Sequence, residues 1–356
     1  MKSRLPENRR SDMISNIRWI ETPIGPPYRN LAVEKTLMDR IGPGECLLYL
    51  WQNRQTVVIG RNQNAREECR VDLLRAEGGF LARRLSGGGA VYHDEGNLNF
   101  SFLVRREDED PARQSEVILR AVRSLGIPAE RTGRNDMESE GRKFSGHAWY
   151  RAPDRCCHHG TLMMDVDLDR MGRYLTAAPA KLRSRSVASV RARVVNLKEH
   201  CPALNRQLLT ERLIRAFEDV YGLRADRAAV PSEAEADIRR DTEKMASEAW
   251  LFPSRIPSTH RMEARFPWGG ICLELEVDRG RVKAADCRSD AMEEALIRDI
   301  SEALEGCAYH GQALTERLET LLPREEDVFG KTERETRQRM LADVTEMIRE
   351  QTEKPE

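Results

Sequence analysis

The residues best equipped for chemistry lie in one stretch, Arg83-Arg84-Leu85-Ser86-Gly87-Gly88-Gly89-Ala90-Val91-Tyr92-His93-Asp94. Three consecutive glycines remove every Cβ, so backbone N–H groups can approach a ligand and the chain can take positive φ. Successive exposed N–H groups form an anion nest, and a neighbouring guanidinium adds a fixed, bidentate cation. On a strand Arg83 and Arg84 point to opposite faces, so one of the two serves a ligand here. A phosphate or an acyl-phosphate suits these parts; the bland alternative is a flexible turn. No Gly-Lys-Ser/Thr follows, which excludes a Walker A loop, and no helical pattern follows, which excludes a dinucleotide fingerprint.

Other candidates lie downstream. Gly60-Arg61-Asn62-Gln63-Asn64 offers a guanidinium and three amides at a strand end, or simple turn chemistry. Gly133-Arg134-Asn135-Asp136 precedes a polar connection over 137–142, and Lys143 opens an alternating segment, where a solvated charge is the ordinary expectation. His158 and His159 are adjacent on a predicted strand and face opposite sides, so they cannot chelate one metal together. A hydrogen-bonding or core histidine is expected instead.

The elements that must position these groups follow from periodicity. Strands are expected at 17–20, 47–51, 56–60, 80–82, 98–104, 143–150 and 158–166, with a basic alternating stretch at 183–197. Helices are expected at 31–38, 111–125 and 206–221. A highly charged stretch, 225–248, leads to a proline-containing linker at 246–260. Residues 266–270 open a smaller domain with a hairpin over 271–285 that turns at Asp278-Arg279-Gly280. Helical patterns then occupy 292–305, 312–322 and 333–350, the last so charged that a solvated face is the modest expectation.

At 356 residues, two domains are the prior. A net charge of -1 argues against nonspecific nucleic-acid binding, and no apolar run reaches the roughly 18 residues of a membrane span. The start lacks the apolar core of a signal peptide, and the eight scattered cysteines read as reduced thiols, so a cytoplasmic location is expected.

Six motifs in register resemble the lipoate–protein ligase A family: Gly60–Asn64, Arg-Arg-x-Ser-Gly-Gly-Gly-Ala-Val-Tyr-His-Asp-x-Gly-Asn (83–97), Gly-Arg-Asn-Asp (133–136), Arg-Lys-Phe-Ser-Gly (142–146), His-His-Gly-Thr-Leu (158–162) and Ser-Val-Arg-x-Arg-Val-x-Asn-Leu (189–197). The stretch Asn30-Leu31-Ala32-Val33-Glu34 is similar to that family's first helix. The likeness covers about 17–222, and the tail opened by Trp268-Gly269-Gly270 resembles the accessory domain of ligases that activate lipoate themselves.

The resemblance implies an α+β fold. A large catalytic domain (17–245) has mixed sheets flanked by helices and follows a polar leader (1–16). A linker (246–260), a small α+β accessory domain (261–350) and a tail (351–356) complete it. It implies ATP-dependent formation of lipoyl-adenylate, then transfer of the lipoyl group to a lysine of apo lipoyl domains. Those partners belong to 2-oxoacid dehydrogenase complexes and the glycine-cleavage H protein; neither nucleic acid nor membrane is expected. Lys143 matches the family's essential lysine. ATP and the adenylate fall to Arg83 (rather than Arg84), Ser86, Gly87, Gly88, Gly89, Ala90, Val91, Asn135, Asp136 and Lys143. Lipoate falls to Lys143, Tyr92, His159 and Thr161, and Mg2+ to Asp136, since hard oxygen suits that ion.

The rival is a lipoyl or octanoyl transferase of the same fold, using preformed adenylate or an acyl-carrier thioester. The stretch matching one such relative's nucleophile, Ala177-Ala178-Pro179-Ala180, carries no cysteine, and Cys156 and Cys157 lie on the wrong side of the His-His-Gly strand. A non-catalytic binder of lipoyl domains is disfavoured because Lys143, Asp136 and the whole glycine loop are present.

Overall fold

A computed structural model describes residues 14–133, 135–176, 193–323 and 331–352. The chain divides into two compact units. The first holds residues up to Val57, Arg70–Ala82 and Tyr92–Ala246; the second holds Val58–Cys69, Arg83–Val91 and the chain from Ser247 on. The glycine loop, expected within the large domain, therefore packs with the C-terminal part.

The chain opens with β1 (Asn16–Glu21) and α1 (Pro27–Asp39), whose Pro27 occupies the first helical turn, where its missing N–H costs nothing. β2 (Glu45–Trp51) and β3 (Thr56–Ile59) are buried throughout. Short helices α2 (Ala65–Glu68) and α3 (Val71–Ala76) lead to β4 (Phe80–Arg83) and β5 (Val91–His93). β6 (Asn97–Arg105) is followed by α4 (Pro111–Arg123), where the Asp110 side chain accepts from the Arg113 N–H as an N-cap. Four antiparallel strands come next: β7 (Glu130–Thr132), β8 (Asp136–Ser139), β9 (Arg142–Arg151) and β10 (Arg155–Met163). Then come α5 (Leu168–Tyr174), α6 (Arg206–Tyr221), β11 (Ala225–Arg227) and α7 (Glu235–Ala246). Gly222 ends α6 at φ +67, the left-handed conformation that suits glycine.

An eight-stranded mixed sheet runs β11-β1-β2-β6-β10-β9-β8-β7, and a three-stranded sheet runs β4-β3-β5. β1 pairs in parallel with both β2 and β11, while β2, β6, β10 and β9 pair antiparallel in turn. One face of the central strands, with Leu48, Leu50, Phe100 and Phe102, packs in one core with Val117, Ile118 and Val122 of α4 and Leu209, Leu213 and Phe217 of α6.

In the second unit α8 (Glu248–Leu251) is capped by Ser247 and precedes a sheet of β12 (His260–Phe266), β13 (Gly269–Asp278) and β14 (Arg281–Ser289). The hairpin turn uses Arg279 and Gly280 at φ 49 and 71, the left-handed pair of a tight two-residue turn. Helices α9 (Glu294–Leu304), α10 (Gly311–Glu319) and α11 (Lys331–Thr352) cover it.

Several expectations are corrected. The polar connection 137–142 is mostly strand β8 and a turn. The charged stretch 225–248 contains α7, whose Ile238 and Met245 are buried, and β12 begins before the residues taken to open the small domain. The strand expected at 158–166 spans 155–163 instead. Helix α11 is no solvated bystander: Met340, Leu341, Val344, Met347 and Ile348 form a stripe at helical spacing buried in the second core. The part of the basic stretch within 177–192 lies outside the described residues, as do Ala177–Ala180.

β9 and β10 pass closely at Gly160, which pairs with His147 beside Gly146. A Cβ added to Gly160 would sit 2.6 Å from the Phe100 ring and 2.8 Å from the Gly146 carbonyl oxygen. Gly160→Ala should cost about 1–3 kcal/mol through overpacking, read as a lowered urea midpoint; an unchanged midpoint contradicts this packing account.

Candidate active site

Lys143 and Asp136 meet across a hairpin. β8 turns into β9 through Glu140 and Gly141, both left-handed at φ 52 and 73. The register pairs Asp136 with Gly146 and Glu138 with Lys143, with a bulge between Met137 and Glu138. This short closure brings Lys143 Nζ to 2.7 Å from Asp136 Oδ1, both side chains about one-third exposed. Gly146 makes the room: a Cβ there would lie 2.8 Å from Lys143 Nζ and 3.0 Å from Cε. On its other edge, the Lys143 N–H donates to Arg193 O at 2.8 Å and its carbonyl accepts from Val195 N–H at 2.9 Å. Asn196 fixes that support by bonding both backbone groups of Val166. Asn135 O accepts from the His147 N–H at 2.7 Å, and its amide donates to His147 O, so Asn135 locks the hairpin's entry onto β9.

β10 carries the next groups. Thr161 Oγ1 accepts from the Gly146 N–H at 3.2 Å, tying β10 to the strand of Lys143. His159 shares that face two residues away, and its Nδ1 lies 2.8 Å from Glu34 Oε1 of α1. Burial pushes the Glu34 carboxyl up. Electrostatic attraction to His159 and hydrogen bonds from His159, Ser101 and Cys157 outweigh it and hold the group below the usual carboxylate range. Sequence reasoning assigned no role to Glu34; the signal was a glutamate within the apolar run Leu31-Ala32-Val33, where an ionised side chain is rarely buried without a partner.

His158 faces the other side. Its Nε2 lies 2.8 Å from His147 Nδ1, its Nδ1 lies 2.9 Å from Gln114 Oε1, and His147 Nε2 reaches Ser145 Oγ at 3.0 Å. Phe100 walls both rings, and His158 stacks on Trp149. Burial, then the Lys143 ammonium, lowers His147 to about 3, and burial holds His158 well below its ordinary value. Both stay neutral. Tyr92 comes from β5, buried with its ring 5.8 Å from that of Tyr174.

The glycine loop belongs to the second unit, and the structure corrects two expectations about it. Arg83, expected to face the ligand, is 2% exposed. It donates to the carbonyls of Gly60, Arg61, Gln63, Trp250 and Leu251 at 2.7–3.2 Å. Burial and the nearby Arg61 charge lower its guanidinium to about 10. Arg84 is likewise committed, to Ser86 Oγ and to the carbonyls of Val58, Gly87 and Gly89. Nor is the Gly88 N–H offered outward: it donates to Ala291 O at 2.9 Å.

Packing explains some of the glycines. A Cβ on Gly60 would lie 2.1 Å from Gly88 O, one on Gly87 2.3 Å from Ala291 O, and Gly88 sits at φ +88. Gly89 differs: its added Cβ would meet nothing within 4 Å, and the residue is exposed, with Ala90 and Val91 half-buried beside it.

Comparison with known proteins gives the family. Residues 26–218 match the family described as lipoyl protein ligase A/B catalytic domain, and 256–341 match bacterial lipoate protein ligase C-terminus. The lipoate-protein ligase A of Psychrobacter cryohalolentis is 38% identical over 82% of this chain and 89% of its own length. That of Bdellovibrio bacteriovorus is 36% identical over 82% and 88%. A crystal structure of a lipoate-protein ligase A bound with ATP shares 26% identity at a TM-score of 0.59, covering 66% of this chain and 98% of its own. The P. falciparum LipL1 complex with lipoate, 23% identical, has a TM-score of 0.79 over 94% and 100%, a likeness of fold. The fold is that of the lipoate ligases, α+β with a C-terminal domain. The chain belongs to the lipoate–protein ligase A family and is a ligase.

Two outcomes follow from this geometry. Gly87→Ala should destabilise the fold by about 1–3 kcal/mol, while Gly89→Ala leaves the melting temperature unchanged; equal melting losses would contradict the distinction. Second, His147 is neutral when folded but titrates near 6.5 when unfolded. Its contribution is therefore intact above pH 6.5 and lost as pH falls toward 3, by about 1.4 kcal/mol per pH unit. Urea unfolding between pH 7.5 and 5 should show a shallower loss in His147→Gln than in the parent; equal slopes would refute it.

Proposed function

We propose that this ligase works in two steps, joining lipoate to ATP as lipoyl-adenylate with release of pyrophosphate, then passing the lipoyl group to a lysine of an apo lipoyl domain. The observation that carries this reading is the Lys143–Asp136 pair, set in a glycine-made recess on β9. The attacking carboxylate and the α-phosphate are both anionic, so the first barrier is chiefly electrostatic. A compact ammonium at Lys143 offsets that charge, then stabilises the oxygen charge that develops when the acceptor amine attacks the acyl carbonyl. Asp136 fits Mg2+, being a hard oxygen donor; the ion would neutralise phosphate charge.

The nucleotide phosphates are assigned to the N–H groups of Gly89, Ala90 and Val91. Arg83, Ser86, Gly87 and Gly88 shape the loop through their packing, and Asn135 holds Asp136 in place. His159, Thr161 and Tyr92 are assigned to lipoate, whose aliphatic chain contributes about 0.8 kcal/mol per buried CH2. The protein partners on this reading are lipoyl domains of 2-oxoacid dehydrogenase complexes and the glycine-cleavage H protein, in the cytoplasm. Support for a lipoyl-domain partner comes from a 27%-identical neighbour, a bipartite lipoate protein ligase of Thermoplasma acidophilum described with its E2 lipoyl domain (TM-score 0.61, covering 68% of this chain and 99% of its own).

The thioester-using transferase would need a reactive thiol. Cys156 and Cys157 are buried, and burial raises both thiols well above their ordinary value, the opposite of an activated nucleophile. Cys157→Ser should keep most of the activity; a folded but inactive variant would revive that transferase.

The direct test is exchange of labelled pyrophosphate into ATP. Exchange that requires lipoate, and its loss by at least about 100-fold in a folded Lys143→Ala variant, is expected. Transfer from synthetic lipoyl-adenylate without any exchange would make the protein a transferase dependent on another activating enzyme.

A further inference from the structure

A second set of ligand-type atoms converges in the first unit. Cys157 and His159 stand two residues apart on β10, so both side chains leave the same face, and Glu34 of α1 lies over them. A carboxylate oxygen of Glu34, Cys157 Sγ and a ring nitrogen of His159 all lie within 4.8 Å of one another, and all three residues are buried. Glu34 already draws Ser101 Oγ to 2.5 Å and His159 Nδ1 to 2.8 Å. These contacts mark an interior anion that gathers whatever positive or protic partner it can reach.

We propose that Glu34, Cys157 and His159 form a binding site for one thiophilic divalent cation, Zn2+ being the ion the donor set suits best. One carboxylate oxygen, one sulfur and one imidazole nitrogen are the mixed O/S/N donors of a borderline-soft metal. A single oxygen and a thiol exclude the oxygen-rich shells that Mg2+ and Ca2+ require. Charge also favours it: a dication beside Glu34 and a Cys157 thiolate gives a neutral interior cluster. In a tetrahedral site with metal–ligand bonds of about 2.0–2.3 Å the donors lie roughly 3.5 Å apart, so side-chain shifts of about an ångström complete the geometry.

The binding step balances as follows. The Cys157 S–H bond breaks and its proton leaves to solvent. The imidazole proton moves from Nδ1 to Nε2, and bonds form from the metal to sulfur, Nδ1 and the carboxylate oxygen. Nothing is oxidised or reduced. One proton is released per ion, so affinity should rise about tenfold per pH unit while the thiol is protonated. Three protein ligands leave a fourth position for water or an added sulfur donor. His159 is also assigned to lipoate above, so the bound cation should compete with that substrate; the site itself does not depend on that assignment.

The test is titration of the full-length, chelator-stripped protein with Co2+ and then Zn2+, read by cobalt–thiolate charge-transfer absorption and by proton release. One equivalent of Co2+ should give the band, one equivalent of Zn2+ should erase it, and one proton should appear per ion. Cys157→Ala, with unchanged circular dichroism and melting temperature, should lose the band. Persistence of the band would place the metal on the partly exposed Cys201 or Cys272 and overturn the proposal, as would the absence of a stoichiometric band in the parent. If Cys157→Ala does not fold, Glu34→Gln decides: it should retain the band but bind at least tenfold more weakly, and unchanged affinity overturns the proposal.

Discussion

The short left-handed turn at Glu140 and Gly141 is the constraint on which the Lys143–Asp136 pair depends. With only two residues in the turn, β8 must fold directly back on β9, and the bulge between Met137 and Glu138 then selects which side chains converge. Asp136 thereby lies across from Gly146 rather than from a residue with a side chain, and the Lys143 ammonium occupies the volume a Cβ would take. The same glycine presents its N–H to Thr161 and its carbonyl to the vicinity of Gly160, so the recess and the β9–β10 seam are one packing solution. A charged pair one-third exposed contributes little to stability by itself. Its value is positional.

In the second unit, three successive glycines serve three physical demands. Gly87 yields to the Ala291 carbonyl, Gly88 needs positive φ, and Gly89 meets neither demand. Arg83 explains why the surrounding loops hold shape. Five carbonyls from two separate segments converge on one guanidinium, which cannot deprotonate under ordinary conditions and whose planar fork fixes their directions. Arg84 repeats the device within the loop itself. The arginine pair, which reads in sequence as a phosphate clamp, acts in this structure on backbone oxygens; both ligands present the same partial negative charge to the same donors.

What was legible in the sequence follows from the range of the interactions. Helix α6 carries its cap at Asn205, its apolar stripe and its terminating Gly222 within itself, and its bounds could be read directly. β2, β3 and β6 are apolar runs between turn signals. β7, β8 and β11 are short and polar, and become strands only because a neighbour supplies the ladder, as the parallel partnership of β11 with β1 shows across about 200 residues. α11 hid its apolar stripe beneath its charge. At the site, Lys143 and Asp136 were marked by motif, whereas Glu34 lies 125 residues from His159 and acquires its role only when α1 lies over β10.

β10 shows how a pleated strand separates chemistry that the sequence presents as one motif. His158 and His159 are neighbours, yet the pleat sends one to the aromatic interior and the other to a buried carboxylate. On the first face the ring partners of His158 and His147 are uncharged, so desolvation dominates and both rings remain neutral, satisfied by each other, Ser145 and Gln114. On the second face Glu34 supplies negative charge that must be matched by a proton, by a cationic ring or by a metal. The spacing of two that places Cys157 beside His159 therefore matters more than the adjacency of the two histidines. A single strand thus holds a neutral histidine pair on one face and a buried carboxylate on the other, separated by the thickness of its backbone.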